Sequence, residues 1–350
     1  MISEEIKEII ENNFQIKVNQ EYSKLIQSGF NNVYLITDST KKYIFRMSDT
    51  KKSIITTEED YLFELELLLF LKHKNFPVSY PIEWKKDSYL LKIEMNQSKY
   101  FCSLFSFAEG KPLDENDLEK HFSFGVFIGK LHLAMSSFTS EHNRYTWDDE
   151  KSLDYPVKLF KEYLADEHPK EYKELFSLKE WLKSQLGNYK TKAQVGLIHG
   201  DVHNFNVHFD RNQNFTMFDF DFLGTNYLVF DLSCFIGTEV YFFDIHTGKK
   251  VPNSLSYAQK KFFEGYKMVR NISENEIKIL PLTEIQRFII LFGSWAHFCY
   301  IRGLEKLDEG DKTYKELLGE RIQKLLPHLL RLKSKWEQND LFYYNDLLKN

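Results

Sequence analysis

The feature that most constrains this chain is a polar loop between short apolar runs at residues 195–222. The loop reads HGDVHNFNV from His199, and Asp219 follows in the segment FDFD, thirteen residues after Asn206. The runs VGLI, NVHFD and FTMFDFDF around it have the length and composition of short strands. In phosphoryl transfer one carboxylate orients the attacking hydroxyl, while an amide oxygen and a second carboxylate hold Mg²⁺ on the phosphates. Asp201, Asn206 and Asp219 have the residue types and the spacing that this chemistry requires.

A wider pattern surrounds this loop. HGDxHxxN, a short hairpin and a DxD segment, with Asp231 in FDLS ten residues after Asp221, resemble the aminoglycoside phosphotransferase and choline kinase-like family. GKPL at residues 110–113 and GKLH at residues 129–132 extend the resemblance, which covers roughly residues 20–240. It implies an α+β, bilobal protein kinase-like fold: a small, mainly β, nucleotide-binding N-lobe at residues 1–103 and a larger, mainly helical, catalytic and acceptor-binding C-lobe at residues 104–350.

The same resemblance implies a nucleotide site in the N-lobe. Ser28 and Asn31 stand in the expected nucleotide loop, SGFNN, which has one glycine in place of GxGxxG. Arg46 occupies the place of the basic residue on the third strand that binds the α- and β-phosphates, where protein kinases use lysine. Glu64 falls where a helix glutamate pairs with that basic residue. The implied donor is ATP with Mg²⁺, and GTP stays open.

The resemblance also assigns roles in the C-lobe. Asp201 is expected to be the catalytic base or the orienter of the acceptor hydroxyl, and Asn206 and Asp219 to be the Mg²⁺ ligands, with Asp221 assisting the metal. Asp231 is expected to bond the backbone of the catalytic loop from a neighbouring helix. The implied activity is transfer of the γ-phosphoryl group to a hydroxyl of a small-molecule acceptor.

Hydrophobic periodicity predicts the elements around these motifs. A hairpin is predicted from residues 32–37 and 42–47, and a helix capped by Thr56 with Glu59 is predicted to follow it. Further strands are predicted at residues 88–95 and 100–107. Helices are predicted to dominate from Leu113 onward, at residues 124–131, 159–164, 175–186, 262–269, 282–298 and 317–332, with a capping box at Ser273 and Glu276.

Composition excludes several classes of partner. A net charge of −5 lacks the basic footprint of a nucleic-acid-binding protein. The longest apolar run, at residues 288–300, is too short to cross a bilayer, so no membrane association is expected. Three widely spaced cysteines and an acidic start, MISEEIKEII, predict a protein of the reducing cytoplasm. The sequence predicts no oligomeric state.

Three alternatives stay open on the sequence. His199, His203 and His208 lie close enough in sequence to suggest a zinc hydrolase. The segments FFEGY and LPLTEIQRF are similar to a bacterial stress-response branch of the same fold, which phosphorylates Ser/Thr of proteins. The reduced glycine loop would also suit a nucleotide-binding protein without catalysis.

The sequence does not determine the acceptor. The architecture places acceptor-binding groups at residues 235–243 and on the helix that carries Arg287, Trp295, His297 and Tyr300.

Overall fold

The computed structural model describes residues 1–29, 31–51, 57–95, 97–114, 116–212, 214–241, 248, 251, 253–302 and 313–348. The packing of the chain divides it into two units. Unit 1 comprises Met1–Pro112, Ser137–Arg144 and Val207–Asp221, and unit 2 comprises Leu113–Ser136, Tyr145–Asn206 and Phe222–Asn350. The lobe boundary between residues 103 and 104 stays a prediction.

Unit 1 is built on an antiparallel sheet of six strands. Its strands run in the order β1-β2-β3-β6-β4, and β5 also pairs with β6. The predicted hairpin is confirmed, because β2 and β3 pair with Leu35 opposite Ile44. Asp38 closes their turn by accepting from the backbone N–H groups of Thr40 and Lys41, each at 2.6 Å. The strands are β1 Lys24–Ser28, β2 Asn31–Thr37, β3 Lys42–Asp49, β4 Pro81–Ile82, β5 Leu91–Met95 and β6 Ser98–Ser106.

Two helices belong to this unit. α1 (Glu4–Phe14) buries Ile6, Ile10 and Phe14 in one hydrophobic cluster with Phe45 of the sheet. α2 (Glu58–His73) is the predicted helix after the hairpin, and its cap is Thr57, whose side chain accepts from the N–H of Asp60. The cap predicted at Thr56 lies outside the described residues. A small sheet completes the unit, with strands in the order β10-β9-β7: β7 Lys111–Pro112, β9 Val207–Phe209 and β10 Phe215–Met217.

Unit 2 is mainly helical, as expected for the second lobe. One two-stranded antiparallel sheet, β8 (Val195–Ile198) with β11 (Gly224–Tyr227), holds the two ends of the polar loop region. The predicted capping box at Ser273 and Glu276 is confirmed by reciprocal hydrogen bonds. The helices are α3 Leu118–Met135, α4 Tyr155–Leu164, α5 Pro169–Gly187, α6 Val229–Glu239, α7 Tyr257–Lys267, α8 Glu274–Arg302 and α9 Tyr314–Glu337.

An aromatic core joins three of these helices. Phe235 of α6 stacks on Phe262 of α7 with ring centroids 4.2 Å apart, and Phe124 of α3 packs edge-on against Phe235. α3 and α7 approach so closely that a Cβ on Gly125 would lie 1.9 Å from the carbonyl oxygen of Phe262. Phe235 therefore belongs to the core of the unit, although the sequence placed it in an acceptor-binding stretch; Phe242 and Phe243 of that stretch lie outside the described residues.

Within the described part of the chain, none of the helices combines the length and the apolar character that a membrane span requires.

Candidate active site

Two of the predicted nucleotide-site residues of unit 1, Arg46 and Glu64, form an ion cluster with Asp221. Arg46 of β3 meets Glu64 of α2 side by side, with both guanidinium nitrogens 2.9 Å from a carboxylate oxygen. Its Nη1 also donates to Asp221 at 2.6 Å. Both Arg46 and Glu64 are buried. Burial of the guanidinium lowers its pKa, but the two carboxylates raise the pKa of Arg46 above its ordinary value. Arg46 is therefore a permanently charged, fixed cation, which suits the binding of phosphate groups.

Of the two residues from the predicted nucleotide loop, Asn31 contacts the ion cluster through Asp221, and Ser28 does not. The amide nitrogen of Asn31 donates to the second oxygen of Asp221. Ser28 lies at the end of β1 and donates to Asn32 at 3.1 Å, so its hydroxyl does not join the cluster. Asp219 has a left-handed backbone, with φ 65°. Left-handed backbone is uncommon in residues other than glycine and is concentrated at functional sites.

A segment that the sequence reasoning missed holds α2 in place. Arg144 donates through Nη1 to the backbone carbonyl of Asp60 at 2.7 Å, and through Nη2 to the carbonyl of Asp221 at 2.7 Å. Phe138 packs between Phe63 and Phe70 of α2, with centroid distances of 5.3 Å to each. Because no motif marks residues 137–144, only the folded chain shows that they contact the helix of Glu64.

In unit 2, Asp231 anchors the catalytic loop as the sequence predicted. Its carboxylate accepts from the backbone N–H of His199 at 2.8 Å and of Gly200 at 2.7 Å, and it contacts His132 at 2.9 Å. Asp231 is fully buried. Gly200 has φ 85°, and a Cβ there would lie 2.2 Å from the carbonyl oxygen of Phe222. The turn before Asp201 therefore needs glycine.

Asp201, which follows this turn, is held from three directions. Arg287 of α8 donates through Nη2 to Oδ1 at 2.8 Å. The other oxygen, Oδ2, meets Nε2 of His203 at 3.1 Å and accepts from Nδ2 of Asn206 at 3.1 Å. Burial raises the pKa of Asp201, but His203 and Arg287 outweigh it, so the pKa lies well below its usual range. Asp201 is therefore ionised at neutral pH and fixed in orientation.

The orientation of Asn206 tests whether a metal ion suits this loop. Its side-chain nitrogen donates to both the carbonyl and the carboxylate of Asp201. The amide oxygen is thus the atom left to act as a ligand, and it is a hard donor of the type that Mg²⁺ prefers. As a ligand type, this amide oxygen fits a magnesium ion.

The three histidines of the loop are engaged separately. His199 accepts from the backbone N–H of Asp201 at 3.2 Å, His203 meets Asp201, and His208 contacts the carbonyl of Ala108 at 2.7 Å. Among the residues that the structure describes, no three His, Cys, Asp or Glu side chains are grouped so as to hold a metal ion. This placement does not favour the zinc hydrolase.

The structure thus brings the predicted site residues together in two groups. Unit 1 gathers Arg46, Glu64, Asn31 and Asp221, and it also contains Asp219. Unit 2 gathers Asp201 and Asn206 with two further residues, His203 and Arg287. His203 lies inside the motif, two residues after Asp201, and this spacing could have identified it as a contact of Asp201. Arg287 was named only as a possible acceptor contact, and its pairing with Asp201 across 86 residues had no sequence signal.

Comparisons with known proteins place this chain in an enzyme family. The model of the phosphotransferase enzyme family matches residues 23–249. An amicoumacin kinase of Bacillus subtilis is 23% identical over 277 residues, which cover 77% of this chain and 78% of that protein. A homoserine kinase of Neisseria meningitidis serogroup B is 26% identical over 265 residues, covering 74% and 77%. The solved structure of an amicoumacin kinase in complex with AMP-PNP, Ca²⁺ and Ami has a TM-score of 0.73 at 18% identity, covering 99% of this chain and 97% of that one.

Fold and site together define a kinase-like phosphotransferase whose acceptor is a hydroxyl group. The chain belongs to the phosphotransferase enzyme family, and its relatives indicate a small-molecule kinase. The resemblance inferred from the HGD and FDFD motifs is confirmed.

Proposed function

We propose that this protein transfers the γ-phosphoryl group of MgATP to a hydroxyl of a small-molecule acceptor, with Asp201 orienting that hydroxyl. The observation that supports this most directly is the fixed, ionised carboxylate of Asp201 between Arg287 and His203. The acceptor oxygen bonds to the γ-phosphorus while the bond from the γ-phosphorus to the β-phosphate oxygen breaks, so ADP leaves and the hydroxyl proton passes to Asp201 as the new bond forms. Because the pKa of Asp201 is depressed, hydrogen bonding to the hydroxyl is favoured over early removal of its proton.

Each remaining site residue has a proposed role. Asn206 and Asp219 hold the magnesium ion, which when bound neutralises charge on the β- and γ-phosphates. Arg46 binds the α- and β-phosphates, and Glu64 keeps its guanidinium in place. Asp221, proposed above as an auxiliary metal residue, has both oxygens in contact with Arg46 and Asn31, so it orients the cation in the metal-free state. Ser28 and Asn31 belong to the loop that covers the nucleotide.

The test is formation of ADP from MgATP with a panel of hydroxyl acceptors. Amicoumacin and homoserine lead the panel, because relatives are kinases named for them. Choline and aminoglycosides follow, a generic protein substrate tests the Ser/Thr kinase alternative, and MgGTP replaces MgATP in a parallel series. Phosphorylation of the protein substrate with no small-molecule transfer would overturn the proposal.

Two variants assign the roles within that assay. Asp201→Ala should abolish turnover while a thermal shift with MgAMP-PNP remains, whereas Asp219→Ala should weaken both. Asp210→Ala is the matched control, because among the described residues this carboxylate accepts hydrogen bonds from the backbone of Asn212 and from Asn214 in the β9–β10 turn. Unchanged turnover in Asp201→Ala would contradict its role, and normal Mg²⁺ dependence in Asp219→Ala would contradict metal binding there.

A further inference from the structure

The two carboxylate oxygens of Asp201 have different numbers of hydrogen-bond partners among the described residues. Oδ2 has two neighbours, His203 and Asn206, and both of these are in the catalytic loop itself. Oδ1 has one partner among the described residues, Arg287, which comes from α8. A carboxylate oxygen accepts about two hydrogen bonds. Oδ1 therefore keeps one lone pair free, and the direction of that lone pair depends on Arg287.

Arg287 is an unusual choice for structural support alone. It is 5% exposed, and it makes a single end-on contact with Asp201 in place of the paired contact that Arg46 makes with Glu64. Its Nε is buried with no hydrogen-bond partner in the part of the chain that is described. Burying a guanidinium with an unmet donor is costly, and buried ion pairs add little net stability over apolar packing. Such an arrangement points to a functional reason for the residue.

The neighbouring acidic residue on α8, Glu284, forms its hydrogen bonds with residues other than Arg287. Glu284, one turn earlier, is fully buried, and its oxygens are bonded to His328, Tyr343 and Tyr344. Arg287 and Asp201 both line a small cavity. Among the described residues, the carboxylate that hydrogen-bonds to the guanidinium of Arg287 is therefore that of Asp201, in the catalytic loop.

On the basis of the proposed function, we propose that Arg287 is a positioning residue that holds Oδ1 of Asp201 so that its free lone pair meets the acceptor hydroxyl. The role concerns alignment of the attacking oxygen and not nucleotide binding. A misplacement of about 1 Å at a reacting group can reduce a rate by about 100-fold. Loss of Arg287 should therefore lower kcat and leave the affinity for MgATP unchanged.

The experiment measures phosphate release from MgATP, with water as acceptor, and transfer to any acceptor found active in the panel. Arg287→Met should lower kcat by about 100-fold with KM for MgATP within about twofold of wild type. Arg287→Lys should keep kcat within about tenfold, because one N–H donor reaches one oxygen. Arg287→Ala should regain activity on addition of millimolar guanidinium, which a purely structural defect would not do.

Lys179→Met is the matched control. Lys179 is buried by exposed area, as Arg287 is, and pairs in the same unit with the partly exposed Asp154 at 2.9 Å and with Glu180, so this variant also removes a cation from an ion pair. It should lower the melting temperature without changing kcat or responding to guanidinium. If Arg287→Met keeps wild-type kcat, or if guanidinium rescues no activity in a folded Arg287→Ala, the role of Arg287 is wrong and the proposed function stands. A wild-type protein that neither hydrolyses MgATP nor transfers phosphate overturns the proposed function and the role of Arg287 with it.

Discussion

Replacement of Asp231 provides a stringent test of how the catalytic loop is held. In Asp231→Ala, the backbone N–H groups of His199 and Gly200 lose their acceptor, and so does His132. Each unmet buried donor costs about 1–3 kcal/mol, so three of them cost about 3 kcal/mol or more. We expect a loss of about 3–5 kcal/mol, a large share of the roughly 5–15 kcal/mol that stabilises a folded protein.

Urea unfolding followed by tryptophan fluorescence measures this loss. Four of the five tryptophans lie in unit 2, so the signal reports mainly on the unit that contains the loop. With a urea dependence of about 2–3 kcal/mol per molar, the midpoint should fall by about 1–2 M. Asp231→Asn keeps one accepting oxygen and places an amide nitrogen against a backbone N–H. Its urea midpoint should therefore lie between those of wild type and Asp231→Ala.

The matched control is Asp166→Ala, at an exposed position of the same unit, which should change the free energy of unfolding by less than about 0.5 kcal/mol. Asp231→Ala should also abolish phosphoryl transfer, because the turn that carries Asp201 loses its anchor. If the alanine variant stays within about 1 kcal/mol of wild type, the three hydrogen bonds do not hold the loop and the reasoning is refuted.

Three further predictions concern packing, the ion cluster and the thiols. Gly125→Ala should lower the melting temperature by several degrees, measured by circular dichroism, because the new Cβ meets the α7 backbone; an unchanged melting temperature would contradict the close contact. Glu64→Gln should weaken MgAMP-PNP binding by about 10-fold in calorimetry, since Arg46 loses a charged partner, and wild-type affinity would remove Glu64 from the nucleotide site. Cys102, Cys234 and Cys299 should react with a thiol reagent at pH 8 only after unfolding, because burial raises the pKa of each, to about 11 for Cys299; rapid labelling of the native protein would refute this.

Much of the fold followed from local pattern. The hairpin of β2 and β3 alternates apolar residues around a turn that Asp38 can close, and the helices repeat their buried side chains every three or four residues. Boundaries were less accurate. The strand predicted at residues 88–95 is observed at Leu91–Met95, and α8 extends over Glu274–Arg302 where residues 282–298 were predicted. End positions depend on caps and on tertiary packing, which periodicity does not measure.

The motifs indicated candidate site residues but not the partners of those residues. GKLH at residues 129–132 was noted as family-like, yet the contact of its His132 with Asp231 and Tyr266 appears only in the folded protein. Arg144 had no motif at all. Arg287 was assigned to acceptor binding in general, and its contact with Asp201 depends on where α8 packs.

The sequence alone therefore determined which chemistry this chain carries. The carboxylate, amide and guanidinium groups of Asp201, Asn206 and Arg46 are properties of residue type, and their spacing along a short loop or a strand persists in any fold that keeps those elements. The tertiary structure decided which cation faces which carboxylate. Arg46 meets Glu64 and Arg287 meets Asp201 because helices far apart in sequence pack beside β3 and beside the loop, and charges interact by distance in space.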